Sequence, residues 1–237
     1  MPVYSSFLQR AVDQIIHDVC IQNLPVVICI DRAGIVGNDG DTHQGIFDLS
    51  YLSYIPNLTI LAPKDFKELE DMIEFAVNLN KPAAIRYPRG KEKGRKYNID
   101  NKIEYGKAEI LKVGEDISIF AIGKMVDTAM ELSKKLANEA ISAEVINIRF
   151  LKPLDEKCIL ESAGKTKKII TIEDNVLKGG LGAAITECIV RNNVKDIAVK
   201  SFGYPDEYIK HGDIEELEKE YGLDIDTLYN QIKKHDK

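Results

Sequence analysis

Short unbroken apolar runs alternate along this chain with stretches whose apolar residues recur every three to four positions. That alternation points to an α/β fold. Strands covered on both faces by crossover helices read as continuous Val/Ile/Leu runs, and the helices between them carry a single apolar stripe. Residues 25–30, 58–61 and 83–87 are the strand candidates of the first half, and residues 47–55 and 65–77 its later helices. The first helix is expected near Ser6, because Ser6 and Gln9 have capping-box spacing and Leu8, Val12, Ile15, Ile16 and Val19 follow at helical intervals. Residues 1–4 look like the stub of a strand.

In the second half the expected strands are 117–122, 143–148, 168–173 and 196–202, and the expected helices are 126–137, 155–162, 182–191, 214–221 and 225–234. Between the halves, residues 90–96 are polar, highly charged and without apolar periodicity, as in a linker. The division is therefore residues 1–90, a linker at 91–103, and a second domain at 104–237, both domains having mostly parallel sheets flanked by helices. Residues 1–90 alone are expected to be unstable or to associate through an exposed strand edge, and residues 104–237 to fold independently.

Composition narrows the function. Hydrophobic residues are 44% and charged residues 30% of 237, the balance of a globular protein. A formal net charge of -6 counts against nucleic acid, whose backbone attracts basic surfaces. No apolar run approaches the roughly 20 residues of a membrane span, and the first residues do not form a signal peptide. Cys20, Cys29, Cys158 and Cys188 are scattered without a C-x-x-C pair, which suits free thiols in a reducing, cytoplasmic setting.

The chemistry-bearing residues concentrate before residue 90. The glycine- and aspartate-rich loop 31–45 follows a buried strand, where α/β proteins place ligands. Within it His43 can exchange protons near neutral pH, although a histidine in a polar turn can equally be plain surface. Asp39, Asp41 and His43 carry possible metal-ligand atoms, but the loop lacks the glutamate that closes a calcium loop, and no metal site is expected. Arg32 and Arg89 each follow a strand, so a parallel sheet would bring them to one edge, where paired guanidinium groups can hold a phosphate; either alone can be a solvated charge. Phe7 and Arg10 share a helix face, and a phenyl ring there can simply be core. The turn at residues 179–182 opens a helix and reads as structural, with anion binding on its free N–H groups as the alternative.

Together, residues 4–10 (YSSFLQR), 31–34 (DRAG), 39–45 (DGDTHQG) and 86–90 (RYPRG), continued by 149–155 (RFLKPLD), 173–175 (EDN) and 179–182 (GGLG), resemble the 1-deoxy-D-xylulose-5-phosphate synthase family in order and spacing. The resemblance covers the whole chain, with the first domain of the pyrimidine-binding transketolase type, truncated, and the second of the transketolase C-terminal type. It implies a transferase that condenses pyruvate with glyceraldehyde 3-phosphate, releases carbon dioxide, uses thiamine diphosphate and magnesium, and supplies isoprenoid, thiamine and pyridoxal synthesis.

It further implies that Phe7 stacks on the cofactor's aminopyrimidine and Arg10 sits beside it. Tyr4, Asp39 and His43 would face the substrate, with His43 the proton-transfer group, and Arg32 and Arg89 would clamp the substrate phosphate. The family's activating glutamate precedes the Tyr4 segment, and its diphosphate- and magnesium-binding domain lies further upstream; neither has a counterpart here. The expectation is a homodimer that gains activity, and binds the cofactor, only with an N-terminal half from a second polypeptide. A non-catalytic interaction module or gene relic is the alternative.

Overall fold

The computed structural model describes residues 1–90 and 102–235. Among these the strands are β1 (Pro2–Tyr4), β2 (Val27–Asp31), β3 (Thr59–Leu61), β4 (Ala83–Arg86), β5 (Glu109–Lys112), β6 (Ile117–Ala121), β7 (Ala143–Asn147), β8 (Phe150–Lys152), β9 (Lys168–Val176) and β10 (Ala198–Tyr204). They build two five-stranded sheets, ordered β1-β2-β4-β3-β8 and β10-β9-β6-β7-β5. All pairings are parallel except β8 on β3 and β5 on β7. The expected α/β architecture of mostly parallel sheets is thus the observed one. The linker expected at 91–103 falls, for residues 91–101, outside the described residues.

The helices are α1 (Ser5–Leu8), α2 (Val12–Gln14), α3 (Asp48–Ser53), α4 (Phe66–Asn78), α5 (Met125–Ala137), α6 (Glu156–Thr166), α7 (Leu181–Arg191), α8 (Ile214–Glu220) and α9 (Ile225–His235). The first departs from expectation. β1 runs straight into it, so Tyr4, still extended, is the N-cap, and no side chain caps it. The Ser6–Gln9 capping box therefore does not form. Ser5 instead donates its hydroxyl to Asp48 Oδ2 at 2.9 Å. The helical path then tightens to a 3₁₀ turn at Gln9–Ala11 and widens to a π-helix at Ile15–Cys20. α4 is better signalled: Asp65 accepts from Glu68 N at 2.7 Å, and Glu68 returns a bond from Lys64 N at 2.7 Å, satisfying N–H groups the helix cannot use.

Strands β5 and β8 were not expected. Both are short, antiparallel sheet edges, too brief to show a period. β8 matters because it follows the linker yet joins the first sheet, with Ile60 opposite Lys152 and Leu61 near Phe150. One apolar cluster likewise takes Leu8, Ile28 and Ile60 from the first half and Phe120, Ile146 and Ile169 from the second. A buried polar network crosses the same boundary. Arg149 meets Glu68 at 2.6 Å and Glu109 at 3.0 Å, Lys64 reaches Glu109 at 2.9 Å, and Asn147 Nδ2 donates to Glu68 at 3.0 Å. The two halves share a core.

Candidate functional site

The C-terminal ends of β1, β2 and β4 lie side by side, with Tyr4 opposite Asp31 and Ile30 opposite Arg86. Everything just after these ends is delivered to one edge of the sheet. From β1 come Tyr4 and Phe7, with ring centroids 5.7 Å apart. From β2 comes Arg32, in left-handed backbone conformation at φ 57°, its N–H held by Asp31 Oδ1 at 2.7 Å. Beyond β4 comes Arg89.

The loop after β2 is pinched at its neck. Gly34 and Gly45 exchange two backbone hydrogen bonds of 2.7 Å. Neither position tolerates a side chain: a Cβ on Gly34 would stand 2.1 Å from Asp174 Oδ2, and one on Gly45 would stand 2.3 Å from the Arg32 carbonyl oxygen. Residues between them are thereby held as a compact protrusion. At its tip, Asp39 Oδ2 lies 3.2 Å from Arg32 Nη1 and 3.1 Å from Arg89 Nη1. Arg32 also stacks its guanidinium 4.1 Å from the Tyr4 ring centre and donates to the Tyr4 hydroxyl at 3.2 Å. His43 stands edge-on to Phe7 at 5.7 Å, with Nδ1 at 2.9 Å from the Thr42 hydroxyl, so Nε2 is the ring nitrogen left for another group.

Six of the seven residues singled out from sequence thus form one cluster: Tyr4, Phe7, Arg32, Asp39, His43 and Arg89. Phe7 is not core, being 43% exposed. Arg10 lies on the exposed 3₁₀ turn and is not drawn into the cluster's ion pairs among the described residues. The two arginines do converge, but in this structure they grip the chain's own carboxylate on Asp39. That carboxylate is therefore committed to guanidinium groups. Among the described residues no three His, Cys, Asp or Glu side chains gather as metal ligands. A cleft of about 820 Å³ adjoins the cluster, with Asp39, Arg89, Phe66, Lys124 and Ile214 in its walls.

Beneath the exposed cluster lies a buried one. Arg86, at the end of β4, donates to Asp174 Oδ1 at 2.6 Å and forms an ion pair with Asp48 Oδ1, its Nε 2.9 Å away, and Lys124 approaches Asp174 Oδ2 at 3.8 Å. Burial pushes the Asp48 carboxyl above its usual range, and Arg86 pulls it part of the way back. Next to Asp174, the Glu173 carboxylate accepts from Leu181 N at 2.8 Å and Gly182 N at 2.9 Å. The turn at 179–182 thus spends its N–H groups on an internal carboxyl, in keeping with the structural reading of that turn. Burial pushes Glu173 up to about 8, against the pull of those two N–H groups. Sequence reasoning assigned no role to Arg86, Asp48, Asp174 or Gln44. Arg86 did carry a signal, a lone charge closing the apolar run 83–85.

Comparison with known proteins gives the family. A model described as "Transketolase, pyrimidine binding domain" matches residues 2–93, and one described as "Transketolase, C-terminal domain" matches residues 106–228. The 1-deoxy-D-xylulose-5-phosphate synthase of Caldanaerobacter subterraneus subsp. tengcongensis is 50% identical over 97% of the chain and 37% of its own length. That of Clostridium tetani is 47% identical over 98% of the chain and 37% of its own. The chain thus spans little more than a third of these curated relatives. Among solved structures, one described as "Split gene transketolase, inactive beta4 tetramer" superposes with a TM-score of 0.88 at 29% identity, covering 98% of this chain and 74% of that one. Transketolase from Campylobacter jejuni superposes at 0.75 with 19% identity, covering 98% and 34%, which speaks to the fold alone.

Proposed function

The chain belongs to the transketolase family, carrying its pyrimidine-binding and C-terminal domains in tandem, and on that premise we propose that it forms one wall of a 1-deoxy-D-xylulose-5-phosphate synthase active site. The observation that carries this is the convergence of Tyr4, Phe7, Arg32, Asp39, His43 and Arg89 on one sheet edge. Identities near 50% to synthases of that name support the substrate class. An exposed phenyl ring between a phenol and an imidazole suits a flat heteroaromatic ring, so these residues fit the pyrimidine end of thiamine diphosphate.

When bound, that cofactor supplies the electron sink for decarboxylating a 2-oxo acid, here pyruvate. The chain's own residues do the rest on this wall. Phe7 would hold the ring by stacking, and Arg10, by the family resemblance, would lie beside it. Tyr4 and Asp39 orient the reacting groups, and His43 holds or moves a proton at Nε2. Arg32 and Arg89 exchange Asp39 for the phosphate of glyceraldehyde 3-phosphate, a bidentate partner of higher charge. On this reading the diphosphate and magnesium ligands belong to the part of the relatives that the chain does not span. The neighbour described as a split-gene transketolase in an inactive β4 tetramer supports both a partner polypeptide and self-association of this one.

The test mixes the full chain with a polypeptide bearing the N-terminal part of the Caldanaerobacter relative that precedes the matched region. Carbon dioxide release from pyruvate, dependent on glyceraldehyde 3-phosphate, thiamine diphosphate and magnesium, is expected from the mixture and from neither component alone. His43→Ala in the mixture should lower the rate by on the order of 100-fold or more. Unchanged turnover with His43→Ala, or cofactor binding at micromolar affinity by the chain alone, overturns the proposal.

A further inference from the structure

Gln44 is the odd residue of the site loop. Its neighbours Asp41 and Thr42 are exposed and His43 half-buried, yet Gln44 is 2% exposed. Both ends of its amide are used: Oε1 accepts from Val36 N at 2.7 Å, and Nε2 donates to the Lys210 carbonyl at 3.0 Å. The first bond closes the loop on itself. The second ties it to a segment 166 residues away.

That segment, residues 209–212, connects β10 to α8. Ile209 anchors it, 1% exposed within the second apolar cluster. It meets the loop at two further points. Gly212 N donates to the Gly37 carbonyl at 3.4 Å, and His211 Cβ stands 3.7 Å from where a Cβ on Gly40 would be. The contacts at Gly37, Gly40 and Gln44 bracket Asp39 and His43. Meanwhile the C-terminal domain contributes none of the six clustered side chains.

We propose that Gln44 is a positioning residue through which the C-terminal domain sets the placement of Asp39 and His43. This deepens the proposed function and rests on it for any effect on turnover. The physical basis is that a buried amide bonded at both ends has one orientation, and losing either partner leaves the other buried and unsatisfied. A loop held by backbone alone would keep its neck at Gly34 and Gly45 but free its tip.

Two variants of the full chain separate the bonds. Gln44→Met fills the same space with no hydrogen bond. Gln44→Glu keeps the acceptor for Val36 N and, when ionised, cannot donate to Lys210; once protonated it can. Backbone hydrogen exchange and the imidazole resonances of His43 are read on the chain alone, and kcat and KM on the reconstituted mixture. Gln44→Met should speed exchange at residues 36–44 at least tenfold relative to the strands and shift the His43 signals. In the mixture it should lower kcat at least tenfold with KM for pyruvate within about twofold.

Gln44→Glu should behave likewise at pH 8 and recover loop protection as pH falls toward 5. Unchanged exchange, or faster exchange spread evenly over the chain, overturns the positioning role. If Gln44→Met does not fold, the pH series decides alone, and flat protection from pH 8 to 5 overturns it. Failure of the wild-type mixture to turn over would count against the proposed function while leaving the exchange test valid.

Discussion

Two arginine–carboxylate clusters sit three residues apart on the same strand end, and they do different work. Arg86 lies between Asp48 and Asp174 with side chains 3%, 0% and 1% exposed. Arg89 and Arg32 share Asp39 with side chains 57%, 26% and 33% exposed. In the buried cluster, Arg86 and the nearby Lys124 face two carboxylates, and the guanidinium is used on two sides. In the exposed one, two guanidinium groups share a single carboxylate oxygen among the described residues. Depth separates the two: the first joins the halves beneath the site, and the second, on the proposed function, would exchange its anion.

The largest expected effect comes from the buried cluster. Arg86→Met should cost roughly 3–5 kcal/mol, because removing one partner leaves the like charges of Asp48 and Asp174 in the core without a cation between them. Urea denaturation measures this directly. A loss under about 1 kcal/mol, the range of a surface pair, would erase the distinction between the two clusters.

Glu173 sharpens the comparison as a third case, a buried carboxylate held by two backbone N–H groups. Its folded-state value, about 8 against an ordinary 4.5, means that between those limits the folded protein holds a proton the unfolded chain releases. Stability from this group is therefore fullest below about pH 4.5 and declines as pH rises, by up to ~1.4 kcal/mol per unit, to a plateau above about 8. Glu173→Gln removes the slope. Urea titrations at pH 6 and pH 8 should show the wild type losing more stability than the variant across that interval. Equal losses would mean that the helix N-terminus, not burial, governs this carboxyl.

How much of this was legible in the sequence follows from distance along the chain. β2 and β4 announce themselves as apolar runs, and α4 through its Asp65 cap and its period. Of the exposed cluster, Arg32, Asp39, His43 and Arg89 stood out as polar residues in glycine-bearing segments after strands, none decisive alone, whereas Tyr4 and Phe7 gained roles only through the family resemblance. What holds the cluster was not legible. Asp174 is 88 residues from Arg86 and Lys210 is 166 from Gln44, so only folding brings them together. β8 was hidden for the same reason, since three residues acquire strand character only by pairing with β3. At the start of the first helix a local signal was present but lost to context, because β1 already fixed where the chain leaves the sheet.

The smallest effects on stability belong to the exposed cluster, and there binding is the informative quantity. Arg89→Ala should change stability by no more than about 0.5 kcal/mol. Arg32→Ala should cost slightly more, up to about 1 kcal/mol, because it also loses the stacking on Tyr4. Each should weaken binding of inorganic phosphate, measured calorimetrically on the full chain, and added salt should weaken it further, since exposed charges are screened. Asp39→Asn separates two roles for the shared carboxylate. If Asp39 competes with the incoming anion, its neutralisation releases both guanidinium groups and phosphate binds several-fold tighter; this is the expected outcome. Weaker binding would mean that Asp39 instead holds the arginines in register. The exposed cluster would then be built like the buried one, as a fixed scaffold rather than an exchangeable pair.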